Sequence, residues 1–359
     1  MMNTHLLFRA DATSEIGAGH VMRCIALAQR WKAMRGRAIF LSYCESADLR
    51  RRIVSEGFEY VPIDSQKPSH KELPIIIDTL EKVRSSIEQD PWVVLDGYLF
   101  STNYHTKVKE TGLKLLVIDD YNHLSFYDAD IIVNQNLKNG TYRYKCHSDA
   151  VKLMGTQYAL IRDEFLKYKD FNREFPEKAR RILVTMGGSD NDNNTVKVLR
   201  ATKMFKDPDL EIKVVAGASN PNITSVRQSV ASKSINCKLI ESVNDMASLM
   251  AWADLAVTAG GSTCWELCFM GVPSIVVCVA DNQRETSRNM GKMNGGLVFD
   301  ANSLSEPRGL VKAFEELIFN REMRRDISFK MRDEIDGYGS QRIIDSMKMR
   351  SNESTASWS

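Results

Sequence analysis

The sequence predicts an α/β protein of two doubly wound, Rossmann-like domains facing each other across a cleft. Three observations predict it. Apolar runs of strand length alternate with helix-patterned segments along most of the chain. A charged, aromatic stretch, Arg162 to Lys178, interrupts that alternation, and a fresh series opens at Arg181. At 359 residues, 43% of them hydrophobic, the chain is long for one core and has apolar material for two. The expected division is a first domain over 1–162, a linker over 163–179, a second domain over 180–335, and a C-terminal helix with a frayed polar tail over 336–359.

His5 to Ala10 reads as the first strand and Asp11 to His20 as the loop after it. A helix follows from about His20 to Arg35, with Met22, Ile25, Ala28 and Trp31 near helical spacing and Gly36 as its stop. Strand-like Ala38 to Ser42, a helix near Asp48 to Glu56, Tyr60-Val61, a helix near Glu72 to Gln89 and the buried strand Trp92 to Asp96 continue the alternation. Lys114 to Asp119 and Asp130 to Asn134 complete the first unit. The second series runs through Arg181 to Ser189, Glu211 to Gly217, Cys237 to Glu241, Asp254 to Val279 and Gly296 to Asp300, and helical segments from about Glu306 to Met349 close the chain.

Composition excludes several classes. A net charge of +2 argues against a general electrostatic grip on nucleic acid or an anionic membrane. No apolar run is long enough for a membrane span and the start lacks a signal-peptide core, so a cytoplasmic protein is expected. The seven cysteines form no Cys-x-x-Cys pair and lie mostly in apolar runs, as reduced core residues do. No His-Glu-x-x-His or Asp-rich metal loop occurs, and neither a Walker run nor a Gly-x-Gly-x-x-Gly fingerprint stands at the strand ends. Neither a metal nor a cofactor is expected.

Three Gly-rich turns fall at corresponding strand ends: Gly17-Ala-Gly19, Gly187-Gly188-Ser189 and Gly260-Gly261-Ser262-Thr263. Without a Cβ, such turns let a ligand approach the backbone, and the N–H groups opening a helix attract a phosphate. A metal-free nucleotide ligand fits this pattern. A purely structural reading competes: Thr263 with Glu266, and Asn282 with Glu285, each have the spacing of a capping box, and Gly271 that of a helix stop.

The stretches Phe8 to Ala28, Thr185 to Asp190 and Ala259 to Glu266, above all Gly17-x-Gly19-His20-x-x-Arg23, resemble the UDP-sugar hydrolases of pseudaminic acid biosynthesis, the PseG type. That family looks like a trimmed relative of GT-B glycosyltransferases. The resemblance spans roughly Phe8 to Gly339. It implies a GT-B-like fold and hydrolysis of UDP-2,4-diacetamido-2,4,6-trideoxy-β-L-altropyranose to UDP and the free sugar, with a small-molecule UDP-sugar as the partner.

His20 matches the family's catalytic histidine, Tyr98 an active-site tyrosine, and Asn282 an asparagine near the sugar. At a helix N-terminus the dipole disfavours imidazolium, which suits a base that takes a proton from water. Amides and hydroxyls at Gly261, Ser262 and Thr263 would bind the leaving diphosphate, with Gly17, Gly19, Gly187, Gly188 and Ser189 lining the ligand. Glu266 would accept the ribose hydroxyls. Asp11 is assigned to orienting His20 or binding a sugar hydroxyl, and Arg23 to a phosphate or a nearby carboxylate. The other histidines, at 5, 70, 105, 123 and 147, are expected at the surface with no paired constellation. A glycosyltransferase on the same fold and a non-catalytic nucleotide-sugar binder are the alternatives, and the sequence leaves oligomeric state open.

Overall fold

The computed structural model describes residues 5–65, 67–68, 72–84, 91–136, 143–205, 207–217, 220–231, 236–241, 243 and 245–356. The chain folds as two compact units. One comprises Met1–Ala12, His20–Asp163 and Gly337–Ser359; the other comprises Thr13–Gly19 and Glu164–Asp336.

The first unit holds a seven-stranded, all-parallel sheet: β1 (His5–Ala10), β2 (Arg37–Ser42), β3 (Glu59–Pro62), β4 (Trp92–Asp96), β5 (Lys114–Ile118), β6 (Ile131–Asn134) and β7 (Val151–Met154), in the order β3-β2-β1-β4-β5-β6-β7. A parallel sheet is covered on both faces, which is why all of β1, β4, β5 and β6 is buried and why the central residues of these strands read as apolar runs. The edge strand β7 is only half buried along Val-Lys-Leu-Met, and this weak pattern is why the sequence gives no sign of it. Helix α1 (Gly19–Ala33) buries Val21, Ile25, Ala28 and Trp31, while Phe8 and Phe40 of the sheet stack at 4.8 Å between ring centroids. Burying a Val, Ile or Phe side chain in this way contributes about 1.5–3 kcal/mol.

Helix α2 (Ala47–Ser55) is capped by the Ser46 hydroxyl, which accepts from Leu49 N–H. The helix expected from Glu72 to Gln89 is α3 (Leu73–Arg84), and residues 85–90 lie outside those described. Helix α4 (Thr102–Glu110), capped by Ser101, bridges β4 and β5. At the other end of the chain, Gly339–Ala356 forms a helix on this same unit: Ser351 accepts from Trp92 Nε1 at 3.1 Å and the Arg350 carbonyl from Lys114 Nζ at 2.5 Å. Helix thus extends to Ala356 through most of the tail expected to fray, and 357–359 lie outside the described residues.

The second unit repeats the plan with six parallel strands, β8 (Arg181–Thr185), β9 (Glu211–Ala216), β10 (Asn236–Glu241), β11 (Leu255–Ala259), β12 (Ser274–Cys278) and β13 (Gly296–Asp300), in the order β10-β9-β8-β11-β12-β13. Three arginines bind the connecting segment to it through carbonyl oxygens alone. Buried Arg173 donates to Ala253, Met250 and Met270, buried Arg324 to Leu317, Ile318 and Pro176, and half-buried Arg332 to Phe171 and Lys169.

Each sheet reverses its strand order once, between β1 and β4 in the first and between β8 and β11 in the second. At such a switch point the loops leaving adjacent strands diverge and open a crevice at the carboxyl ends. His20 follows β1 and Tyr98 follows β4; Gly187 follows β8 and Gly260 follows β11. Among the described residues no helix is long and apolar enough to cross a membrane.

Candidate functional site

In the first unit the site begins at the carboxyl end of β4. Register pairs Ala10 of β1 with Asp96 of β4, so the last residue of a buried apolar strand sits level with the start of the loop that leads to His20. Asp96 is fully buried, and its Oδ1 lies 2.6 Å from His20 Nδ1. A carboxylate can only accept there, so Nδ1 carries the hydrogen and Nε2 keeps the lone pair. Arg23, one turn further along α1, donates Nε to Asp96 Oδ2 and Nη2 to Asp96 Oδ1, both at 2.6 Å. It also donates Nη1 and Nη2 to Asp120 at 2.7 and 3.0 Å. Burial by itself would raise the Asp96 carboxyl, yet the Arg23 charge and the hydrogen bonds from Arg23 and His20 hold it down to about 2. Two carboxylates around one guanidinium leave one negative charge facing the imidazole.

Tyr98 donates its hydroxyl to Asp120, and its ring meets His20 edge-on at 4.8 Å. Asn136 Nδ2 donates to Asp120 Oδ1 at 2.7 Å. Beside this, Asp119 accepts from His123 Nδ1 at 2.6 Å, Tyr127 at 3.0 Å and Tyr144 at 2.5 Å. Burial and the Asp119 charge push both tyrosine hydroxyls well above their ordinary range, so both remain donors. The arrangement can take a proton at one lone pair, on His20 Nε2, and stabilise the imidazolium that results.

Several expectations are corrected. Asp11 does not orient His20: it pairs with Arg9 and accepts from Tyr43 N–H at 2.7 Å, in a buried cluster that includes Glu72. Arg23 takes the carboxylate branch of its assignment; buried and bidentate to two aspartates, it has no face left for a phosphate. His5 and His105 are buried rather than at the surface, His123 pairs with Asp119, and His147 is exposed, 3.4 Å from Asp128. His70 lies outside the described residues. Asp96, Asp119, Asp120 and Asn136 went unassigned. For the three aspartates the signal was present, since an acidic residue at the end of an apolar strand stands where parallel sheets collect ligands.

The Asp11–His20 loop is built by Thr13, whose hydroxyl accepts the N–H groups of Glu15 and Ile16 at 3.2 Å, while Gly17 adopts φ 72 and donates to the Thr13 carbonyl. Gly19 opens α1.

In the second unit, the helix Thr263–Met270 begins at the β11 turn, with Ser262 at its N-cap position making no side-chain cap bond. The Thr263–Glu266 capping box therefore does not form: Thr263 is already the first helical residue. Gly271 does stop the helix, in the left-handed conformation at φ 61. Gly260 donates to the Val277 carbonyl at 3.0 Å and lies 3.1 Å from Gln283 Oε1, whereas no carbonyl among the described residues accepts from the amides of Ser262 or Thr263. A Cβ on Gly260 would strike Ser287 Oγ at 2.1 Å, but one on Gly261 would meet nothing within 4 Å. Glu266 is buried on this helix.

Asn282 lies in a 3-10 turn, Asp281–Gln283, before the helix Arg284–Lys292, whose N-cap position is Gln283. Glu285, on the first turn of that helix, pairs with Arg288 at 2.6 Å. At the β8 turn, Gly187 has φ 90 and Gly188 and Ser189 follow. The helix beyond them, Asn194–Met204, is not an open anion site, because Asp190 accepts from its first amides, Asn194 N–H at 2.7 Å and Thr195 N–H at 2.9 Å. Among the described residues no group of three or more His, Cys, Asp or Glu is arranged to hold a metal.

Residues 181–337 match the glycosyltransferase family 28 C-terminal domain. The fold is GT-B-like. It superposes on the MurG of Acinetobacter baumannii with a TM-score of 0.63 at 15% identity, covering 96% of this chain and 99% of that one. A structure described as S. aureus MnaA with UDP gives 0.64 at 16%, covering 97% of each chain. Among curated proteins, the chain is 28% identical to an uncharacterized protein of Methanocaldococcus jannaschii over 77% of its own length and 56% of that protein's, so it spans little more than half of that relative. It is 24% identical to the spore coat polysaccharide biosynthesis protein SpsG of Bacillus subtilis over 94% of this chain and 96% of that one. To the UDP-2,4-diacetamido-2,4,6-trideoxy-β-L-altropyranose hydrolase of Campylobacter jejuni it is 25% identical, over 80% of this chain and 96% of that one.

Proposed function

We propose that this chain is a nucleotide-sugar hydrolase that releases UDP from UDP-2,4-diacetamido-2,4,6-trideoxy-β-L-altropyranose. The observation that carries the reading is the His20–Asp96 pair at the switch point of the first sheet, one charged hydrogen bond that leaves a single basic nitrogen on the ring. Water gives its proton to His20 Nε2 as its oxygen bonds the anomeric carbon, and the bond from that carbon to the diphosphate oxygen breaks, releasing UDP. Asp96 holds the ring in the correct tautomer and stabilises the imidazolium. Arg23, Asp120 and Tyr98 position that pair.

On the leaving-group side, the amides of Ser262 and Thr263 at the start of their helix receive the growing diphosphate charge, and Gly261 lets the ligand approach. Glu266 accepts the ribose hydroxyls and Asn282 contacts the sugar. A single in-line displacement inverts the anomeric centre. The similarity to the Campylobacter hydrolase supports the substrate.

The family 28 match favours one second reading, in which a sugar hydroxyl replaces water as acceptor. The deciding experiment measures UDP release without acceptor from the altrose-configured substrate and from UDP-N-acetylglucosamine, for the natural chain and His20→Asn. Release from the first substrate alone, lost in the variant, is expected. Release that requires an added acceptor would replace hydrolysis by transfer, and retention of configuration would remove the single-displacement mechanism.

A further inference from the structure

Next to the His20 pair stands a group of rings that proton transfer does not use. Tyr121 packs on Tyr98 at 5.1 Å and 64° between ring planes, and on His123 at 5.5 Å and 38°; Tyr98 in turn lies 5.7 Å from His123. Two of the three are pinned from behind. The Tyr98 hydroxyl is taken by Asp120 and His123 Nδ1 by Asp119, with His123 Nε2 enclosed. The loop that carries Tyr121 is fixed as well, because Asn122 is left-handed at φ 57 and its N–H donates to Asp119 Oδ2 at 2.6 Å. Tyr121 itself is half exposed, and Leu99, which follows Tyr98, is 52% exposed. A rigid apolar wall thus rises among carboxylates at the carboxyl ends of β4 and β5, one ring removed from the imidazole.

We propose that Tyr121, backed by Tyr98 and His123, receives the apolar face of the sugar and selects for it. The ligand class is a sugar that turns C–H, deoxy-methyl or acetyl-methyl groups, rather than hydroxyls, toward the wall. Polarised C–H groups meet the negative faces of the rings, and a hydroxyl on that side would lose its water without gaining an acceptor. The proposal rests on the hydrolase reading for its substrate, but binding tests it separately.

The experiment measures affinity for the altrose-configured UDP-sugar and for UDP alone in His20→Asn, then in that variant combined with Tyr121→Ala or Tyr121→Phe, and in parallel the turnover of the natural chain. Tyr121→Ala is expected to weaken the UDP-sugar about tenfold and leave UDP unchanged, while Tyr121→Phe stays within about twofold. Equal loss for UDP and UDP-sugar, or no loss for either, overturns the proposal, as does a Tyr121→Phe as weak as the alanine. Failure of the natural chain to release UDP sinks the hydrolase reading while the affinity difference still decides the wall; failure to bind the UDP-sugar at all sinks both.

Discussion

Replacing Asp96 by asparagine is isosteric and removes one charge from a fully buried position. The carboxylate accepts from His20 and twice from Arg23, all at 2.6 Å. An amide cannot serve all three. With its oxygen toward His20, its NH2 group opposes Arg23 Nε. With its oxygen toward Arg23 Nε, its NH2 group faces His20 Nδ1 and drives the hydrogen onto Nε2, where the base should be. Either orientation costs a charge-assisted bond, and Arg23 keeps its two bonds to Asp120, so the expected loss of stability is about 2–3 kcal/mol. The kinetic loss is larger: kcat should fall about 10²–10⁴-fold with KM nearly unchanged, since the ring is misprotonated rather than displaced. UDP release, with urea unfolding to confirm folding, tests both parts. The double variant with His20→Asn should be no slower than His20→Asn alone, because the pair acts as a unit. A folded Asp96→Asn enzyme whose kcat matches that of the natural chain would refute the dyad.

Gly261→Ala should leave the unfolding midpoint unchanged, as its methyl meets nothing, yet raise KM for the UDP-sugar about tenfold or more by standing where the ligand approaches; unchanged KM would remove Gly261 from the site. Asp190→Ala should cost about 1–2 kcal/mol in urea unfolding through loss of the helix cap, with little change in KM, and a large KM effect would restore that turn as a ligand loop. Burial, aided by the charge of His123, holds His105 down to about 4 against 6.5, with both ring nitrogens unpartnered. Between those values only the unfolded chain binds the proton, so stability rises with pH through that window and falls on acidification by up to about 3 kcal/mol. His105→Phe should flatten the difference between urea midpoints at about pH 4.5, within that window, and about pH 7, above it. Asp96 acts lower, its contribution being complete above the unfolded carboxylate range and lost as pH falls toward about 2.

Some of this protein was determined by sequence alone. Unbroken apolar strands alternating with helices specify two parallel sheets, because only strands covered on both faces dispense with polar residues. Gly271 marks the end of the helix that opens at Thr263, because the left-handed turn there requires it. The Gly-x-Gly-His-x-x-Arg run marks the turn after β1, since His20 and Arg23, three apart on a helix, share a face. Tertiary structure alone decided which groups those residues meet. Asp11 and Asp96 are the same residue type at adjacent strand ends, and it is the strand order, with β4 beside β1, that gives Asp96 to His20 while Arg9 and Tyr43 claim Asp11. Asp190 likewise looks like a neighbour of a phosphate loop until the left-handed turns at Asp190 and Asn193 fold it back onto its own helix. Periodicity records which side of an element is buried; partners at sequence separations of 76 and 97 depend on the order in which strands assemble, which no local pattern encodes.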